Sequence, residues 1–303
     1  MLNHTIIGAG AMGHLMAALL TTHDLPSTLV FRTKEDLGTH KVLHDRSKER
    51  PLSLNESTVD ELDMLDVVWI TVKSYQLRSV LESITTKLSA NSWLILLQNG
   101  MGHIELASEV LQQAMPAEHI IAAANTHGAY LEKQPNLVKI HHSGIGQLTM
   151  GVNYLTEAEH KQPDFLAQLP DVMNCQWTPN LEQTLWQKLA INAVINPVTA
   201  HHQCRNGELL HLAQPKAEVE QLIEECVAFF KCKQMPALAE AFPALCYDVI
   251  SQTAENYSSM MLDIKHGRET EIEAITGYLL NHANSVRLPM TGHQLQYHRL
   301  LNS

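Results

Sequence analysis

The sequence predicts an α/β domain followed by an all-helical one, and three observations carry that expectation. A short apolar strand at residues 5–7 runs straight into a glycine-rich turn and a helix. Apolar runs and helical patterns then alternate through the first half, as the strands of a parallel sheet and their crossover helices do. Beyond Asn180 the apolar spacing is helical throughout. At roughly 150 residues per domain, a chain of 303 residues suits two of them. The boundary is expected between 179 and 180, giving domains of 1–179 and 180–303.

Thr5, Ile6 and Ile7 form the first strand, and Leu15, Ala18 and Leu19 share one side of the helix that follows over 14–20. Leu29, Val30 and Phe31 supply the second strand, with Arg32 at its end. Residues 65–72 contain Val67, Val68, Ile70 and Val72, the near-continuous apolar run that a strand covered on both faces requires. Leu77, Val80, Leu81, Ile84 and Leu88 then recur at helical spacing. Two more strands are expected at 93–97 and 120–124, and the glycines at 144, 146 and 151 suggest antiparallel edge strands over 142–152. Pro163, Pro170 and Pro179 punctuate a less regular stretch. The first C-terminal helix is expected over 181–196: Asn180 is placed to cap it, Gln183 lies at the capping-box spacing, and Pro197 should stop it. Further helices are expected over 216–233, 244–261 and 269–282.

Gly8, Gly10 and Gly13 make G-x-G-x-x-G in the segment Gly8, Ala9, Gly10, Ala11, Met12, Gly13, between a strand and a helix. That context is the one a Rossmann-type dinucleotide site needs, with a tight turn, a bare backbone beside the pyrophosphate and a helix N-terminus facing it. The same turn also suits FAD, or no ligand at all. Arg32 bears on the choice. An acidic residue at the end of the second strand favours the ribose hydroxyls of NAD, whereas a cation pairs with the 2′-phosphate of NADPH. Lys73, after the strand at 65–72, offers a second positive group; an ordinary solvated loop is the plainer reading of both. Asn99, before Gly100 and Gly102, is either a ligand-binding amide or simply part of a turn.

Lys188, Asn192 and Asn196 recur every four residues, so a cation and two amides line one side of a helix. A solvated face explains them as well as a ligand does, although asparagine has little reason to recur there on helix propensity alone. An ammonium in a partly closed site could protonate an oxygen that gains negative charge as a carbonyl is reduced. Asn256 and Ser259 offer small hydrogen-bonding groups for a carboxylate or hydroxyl. Glu271 lies early in a predicted helix, where the helix dipole alone would favour it.

Composition narrows the function classes. The formal charge of −11 argues against nonspecific binding to nucleic acid or an anionic membrane. Nowhere do 18 apolar residues run consecutively, and the first residues lack a secretory signal pattern, so a cytoplasmic location is expected. The five cysteines are scattered without a CxxC pair, and the 18 histidines form no HExxH, so neither a disulfide framework nor a metal site is expected. Amphipathic helices suit packing within one chain or across a two-fold dimer interface.

Several blocks together resemble the ketopantoate reductases: GAGAMG at 8–13, Arg32, LLQNGMG at 96–102, QKLAINAVINPVTA at 187–200, AENYSSMMLDI at 254–264 and RETEIEAITGYL at 268–279. The resemblance implies NADPH-dependent reduction of 2-dehydropantoate to (R)-pantoate, the step that feeds pantothenate synthesis. It implies that Lys188 is the catalytic acid and that Glu271 orients the substrate and supports catalysis. Asn99 would lie near the nicotinamide, Asn192, Asn196, Asn256 and Ser259 would hold the hydroxyl and carboxylate of the substrate, and Arg32 and Lys73 would lie near the adenosine phosphate. The stretch 125–128, Asn-Thr-His-Gly, departs from the Thr-Thr-His pattern of such proteins, and Gly128 is expected to loosen that wall of the pocket. Two rivals remain: a related reductase of another small carbonyl compound, and an NADPH-binding sensor without turnover.

Overall fold

A computed structural model describes residues 2–45, 48–152 and 162–301. The chain divides into two compact units, Met1–Gln98 with His103–Thr184, and Asn99–Gly102 with Leu185–Ser303. The architecture is α/β with a helical C-terminal region, as expected.

In the first unit, β1 (His4–Ile7) lies inside a mostly parallel sheet, flanked by β2 (Ser27–Phe31) and β6 (Val67–Ile70). Outside β2 runs β5 (Asn55–Thr58); outside β6 run β7 (Trp93–Leu96) and β8 (Ile120–Asn125). Because β1 has later strands on both sides, the chain reverses its winding direction beside it, the place where open α/β sheets bind ligands. The inner strands β1 and β6 are buried along their whole length, which accounts for the unbroken apolar run of β6. Helix α1 (Ala11–Thr21) packs on this sheet, and α2 (Leu77–Ile84) and α3 (His103–Leu111) make the later crossovers.

Two features of the first unit differ from expectation. The segment 142–152 falls into two strands, β10 (Leu137–Gly144) and β11 (Leu148–Val152). β11 pairs antiparallel with β8 but is not an edge, since β12 (Cys175–Trp177) lies outside it. A second sheet, in the order β4 (Lys48–Leu52), β3 (His40–Asp45), β10, β9 (Gly128–Gln134), was not anticipated. Its strands carry many charges because much of their surface is exposed, so they lack the apolar signature of the central strands. The cover it does have comes from α1, which touches β9 and β10. Lys41 is buried there, paired with Glu56 and set 5.1 Å above the Phe31 ring.

Helix α4 (Leu181–His202) starts where expected but does not stop at Pro197. An internal proline costs a helix about 3 kcal/mol. Beyond the proline Val198, Thr199 and Ala200 are all buried, and at about 1.5–3 kcal/mol for a large apolar side chain that burial offsets most of the loss. Thr199 also donates to the Ile195 carbonyl at 2.9 Å and the Asn196 carbonyl at 3.0 Å, holding the turn after the proline.

The remaining helices are α5 (Ala213–Cys232), α6 (Pro236–Gln252), α7 (Ser259–Lys265), α8 (Tyr278–Ser285) and α9 (Thr291–Leu301). The single helix expected over 244–261 is therefore two, separated by residues 253–258. Thr253 bends its side chain back to the Val249 carbonyl at 2.6 Å, and the Ser258 hydroxyl accepts the Met261 amide at 3.1 Å, a new N-cap. Within the stretch expected to be helical over 269–282, Glu273–Gly277 is a π-helical turn that leads into α8. Trp186, Phe229, Phe230 and Phe242 form the aromatic core of this unit. Among the described residues, no helix is long and apolar enough to cross a membrane.

Candidate functional site

The glycine turn is built by close approach. A Cβ on Gly13 would sit 1.8 Å from the Gly8 carbonyl oxygen, so only a bare α-carbon lets α1 start this near β1. Gly8 itself has φ of +119°, a conformation that side chains rarely adopt. The Thr71 hydroxyl, just beyond β6, donates to the carbonyls of Gly8 at 2.8 Å and Ile7 at 3.1 Å and locks the turn to the neighbouring strand. Sequence reasoning missed Thr71; its position at the end of a buried strand beside the glycine strand was the available signal.

Gly10 is exposed, and a Cβ there would have no other protein atom within 4 Å. It is the N-cap of α1 and has no side chain to satisfy the first-turn amides. An open flank, a bare backbone and a helix N-terminus suit a diphosphate. Ala9, Ala11 and Met12 are partly buried around this turn, and the Asn125 amide contacts the Met12 sulfur at 3.0 Å. Arg32 follows β2 directly, is exposed and has no ion-pair partner among the described residues. Since Ile7 is in register with both Val30 and Ile70, Arg32 and Lys73 leave the sheet at the same edge as the glycine turn. Gln98, buried at the end of β7, donates to the carbonyls of Ile70 at 2.9 Å and Val72 at 3.1 Å, fixing the path toward Lys73.

Within the second unit, three residues far apart in sequence meet. Lys188, partly buried on α4, donates from Nζ to Asn99 Oδ1 at 3.0 Å. Asn99 Nδ2 in turn approaches Glu271 Oε2 at 3.4 Å. The chemistry fixes the amide orientation: an ammonium needs an acceptor and a carboxylate needs a donor, so Asn99 bridges the two charges with its dipole aligned. Glu271 is 4% exposed, too buried for a residue present only to favour a helix dipole. Burial lowers the Lys188 pKa to about 8, with Glu271 opposing the shift. An ammonium so poised is charged at neutral pH yet gives up its proton more readily than an ordinary lysine.

The other candidates lie close along the same elements. Asn192 is partly buried one turn beyond Lys188, and Asn196 is buried another turn on. The Thr199 and Ser258 hydroxyls lie in hydrogen-bond contact at 2.7 Å, tying the start of α7 to that end of α4. Ser259 begins α7 and is exposed, as is Asn256, whose carbonyl accepts the Asn206 amide at 3.0 Å. Hydrogen bonding thus brings Lys188, Asn99 and Glu271 together, while Asn256 and Ser259 stand at the surface beside the start of α7. The Thr199–Ser258 bond escaped the sequence reading, which had no reason to separate Ser258 from its neighbour. No group of three or more His, Cys, Asp or Glu side chains positioned to hold a metal ion occurs among the described residues.

Comparison with known proteins decides the family. Residues 4–153 match the family "Ketopantoate reductase PanE/ApbA", and residues 180–301 match "Ketopantoate reductase PanE/ApbA C terminal". The chain belongs to the ketopantoate reductase family. A 2-dehydropantoate 2-reductase of Vibrio cholerae is 34% identical over 284 residues, 92% of this chain and 90% of the relative. Among solved structures, the 2-dehydropantoate 2-reductase of Geobacter metallireducens is 21% identical with a TM-score of 0.81, covering 99% of each chain. A ternary structure of D-mandelate dehydrogenase with NADH and anilino(oxo)acetate is 20% identical with a TM-score of 0.84, covering 99% of this chain and 97% of that one. These two structural likenesses concern the fold. A ketopantoate reductase must recognise a carboxylate, a hydroxyl and a carbonyl on one small molecule, and the amides, hydroxyls and ammonium described above are groups of the right kind.

Proposed function

We propose that this chain reduces 2-dehydropantoate to (R)-pantoate with NADPH, using Lys188 as the proton donor. The observation that carries the reading is the Lys188–Asn99–Glu271 array in a member of this family. Bound NADPH supplies the hydride that C2 of the keto acid receives. The segment Gly8, Ala9, Gly10, Ala11, Met12, Gly13 holds the diphosphate against the N-terminus of α1. Arg32 pairs with the 2′-phosphate and Lys73 adds a second positive group on the same side.

Lys188 stabilises the negative charge that grows on the substrate's carbonyl oxygen, then protonates it. Asn99 holds the ammonium in place and also borders the nicotinamide and substrate. Glu271 orients the substrate and keeps a countercharge near Lys188, so the ammonium stays protonated despite its burial. Asn192, Asn196, Asn256 and Ser259 bind the hydroxyl and carboxylate of the keto acid, and the Thr199–Ser258 bond keeps two of their elements together. We place the protein in the cytoplasm and in pantothenate synthesis.

Purified protein mixed with NADPH and, separately, 2-dehydropantoate, pyruvate or 2-ketoisovalerate tests this. A site built to hydrogen-bond a substrate hydroxyl rejects analogues that lack it, so kcat/KM for 2-dehydropantoate should exceed the others by about 10²-fold or more. Equal turnover of all three would replace the reading with a broader 2-keto acid reductase. Tight NADPH binding without turnover of any would favour a sensor.

A further inference from the structure

The segment that carries Glu271 does not continue as an ordinary α-helix. Residues Glu273–Gly277 form a π turn, a conformation that proteins use sparingly and often beside functional sites. Its carbonyls do not all stay within the helix: the Ala274 oxygen accepts the Met101 amide at 3.2 Å. That bond fastens the loop 99–102, which begins with Asn99, onto the turn. The loop lies flat against it, because Gly100 has φ of +94° and a Cβ there would come within 2.3 Å of the same Ala274 oxygen.

The turn is itself held from outside. Glu273 Oε1 accepts the Tyr297 hydroxyl of α9 at 2.5 Å. Gly277 leaves the room for this pair, since a Cβ there would stand 2.8 Å from Glu273 Oε2 and 3.2 Å from the Tyr297 ring. The Tyr297 pKa is pushed up to about 12, first by its bond to Glu273 and then by burial, so the hydroxyl keeps its proton to donate at neutral pH. A continuous path of contacts thus leads from Tyr297 through Glu273 and the Ala274 carbonyl to Met101, and on to Asn99 and Lys188.

We propose that Tyr297 and Glu273 are positioning residues: by clamping the π turn, they hold the loop 99–102 so that Asn99 bridges Lys188 and Glu271. Neither needs to touch substrate or cofactor. The inference rests on the catalytic reading of the Lys188–Asn99–Glu271 array, and the test separates the two.

In the ligand-free protein, amide hydrogen exchange reads the clamp directly. Tyr297→Phe removes one oxygen and keeps the ring, so the fold is retained. It should speed exchange of the Met101 amide by about 10-fold, the loss expected for one hydrogen bond to a charged group passed on to the loop. The Val194 amide in the buried middle of α4 should be unchanged. Equal acceleration of both amides, or of neither, overturns the proposal.

Turnover supplies the second reading. Tyr297→Phe should lower kcat about 5- to 10-fold in the native background and less than about 2-fold in an Asn99→Ala background, because coupled residues are not additive. Glu273→Gln, which keeps an acceptor oxygen, should retain most of the activity that Glu273→Leu loses. The same factor in both backgrounds overturns the proposal while leaving the array catalytic. If Asn99→Ala alone leaves turnover unchanged, the catalytic reading fails and the positioning role fails with it.

Discussion

Lys188→Ala lowers kcat for reduction of 2-dehydropantoate by about 10²-fold or more, the range that positioned general acids contribute. The loss falls on kcat because the ammonium acts on charge that appears only as the carbonyl is reduced; an interaction made in the transition state alone changes kcat and kcat/KM together. NADPH affinity, followed by quenching of protein fluorescence, should be nearly unchanged, since the dinucleotide is assigned to the glycine turn in the other unit. Lys188→Arg should fail almost as badly. Guanidinium keeps the charge but holds its proton to far higher pH and cannot act as the acid. Native turnover in either variant would remove the role assigned to Lys188.

Arg32→Asp is expected to separate the two nicotinamide cofactors. The substitution replaces a cation facing the 2′-phosphate by a carboxylate suited to ribose hydroxyls. A charge-assisted pair gives way to repulsion between like charges, so KM for NADPH should rise about 10- to 100-fold while KM for NADH stays level or falls. The exposure of Arg32 and its lack of a partner among the described residues make the comparison clean, because no internal ion pair is broken. An equal rise for both cofactors would mean that Arg32 serves the structure of the loop and not 2′-phosphate recognition.

How much of this was legible depends on how local each signal is. The strand, glycine turn and helix at 4–21 are written in consecutive residues, and strands buried on both faces advertise themselves as apolar runs. The second sheet was hidden because β4 and β9 are largely exposed, so Lys48, Glu49, Arg50 and Lys133 dominate their pattern, while β3 mixes Lys41, His44 and Asp45 with its apolar residues. Pro197 gave a false stop, since the energy that carries α4 past it comes from burial, which no local rule sees. The π turn leaves no periodic trace at all, as one wide turn shifts the register only slightly. Helical spacing singled out Lys188; the residues alone left Asn99 and Glu271 undecided between a ligand site and a turn or helix start, and family resemblance gave them roles. Their meeting through one amide bridge joins positions 89 and 172 residues apart, and only the folded chain reveals it.

The most direct test of the account is the pH dependence of kcat/KM for 2-dehydropantoate reduction. Reduction needs Lys188 protonated, and burial places its pKa near 8 instead of the ordinary 10.5. The rate should therefore be level toward neutral pH and fall about tenfold per pH unit once the pH has passed 8. A rate that stays level until the pH approaches 10.5 would contradict it, showing either an ammonium that is not enclosed or a proton that comes from elsewhere.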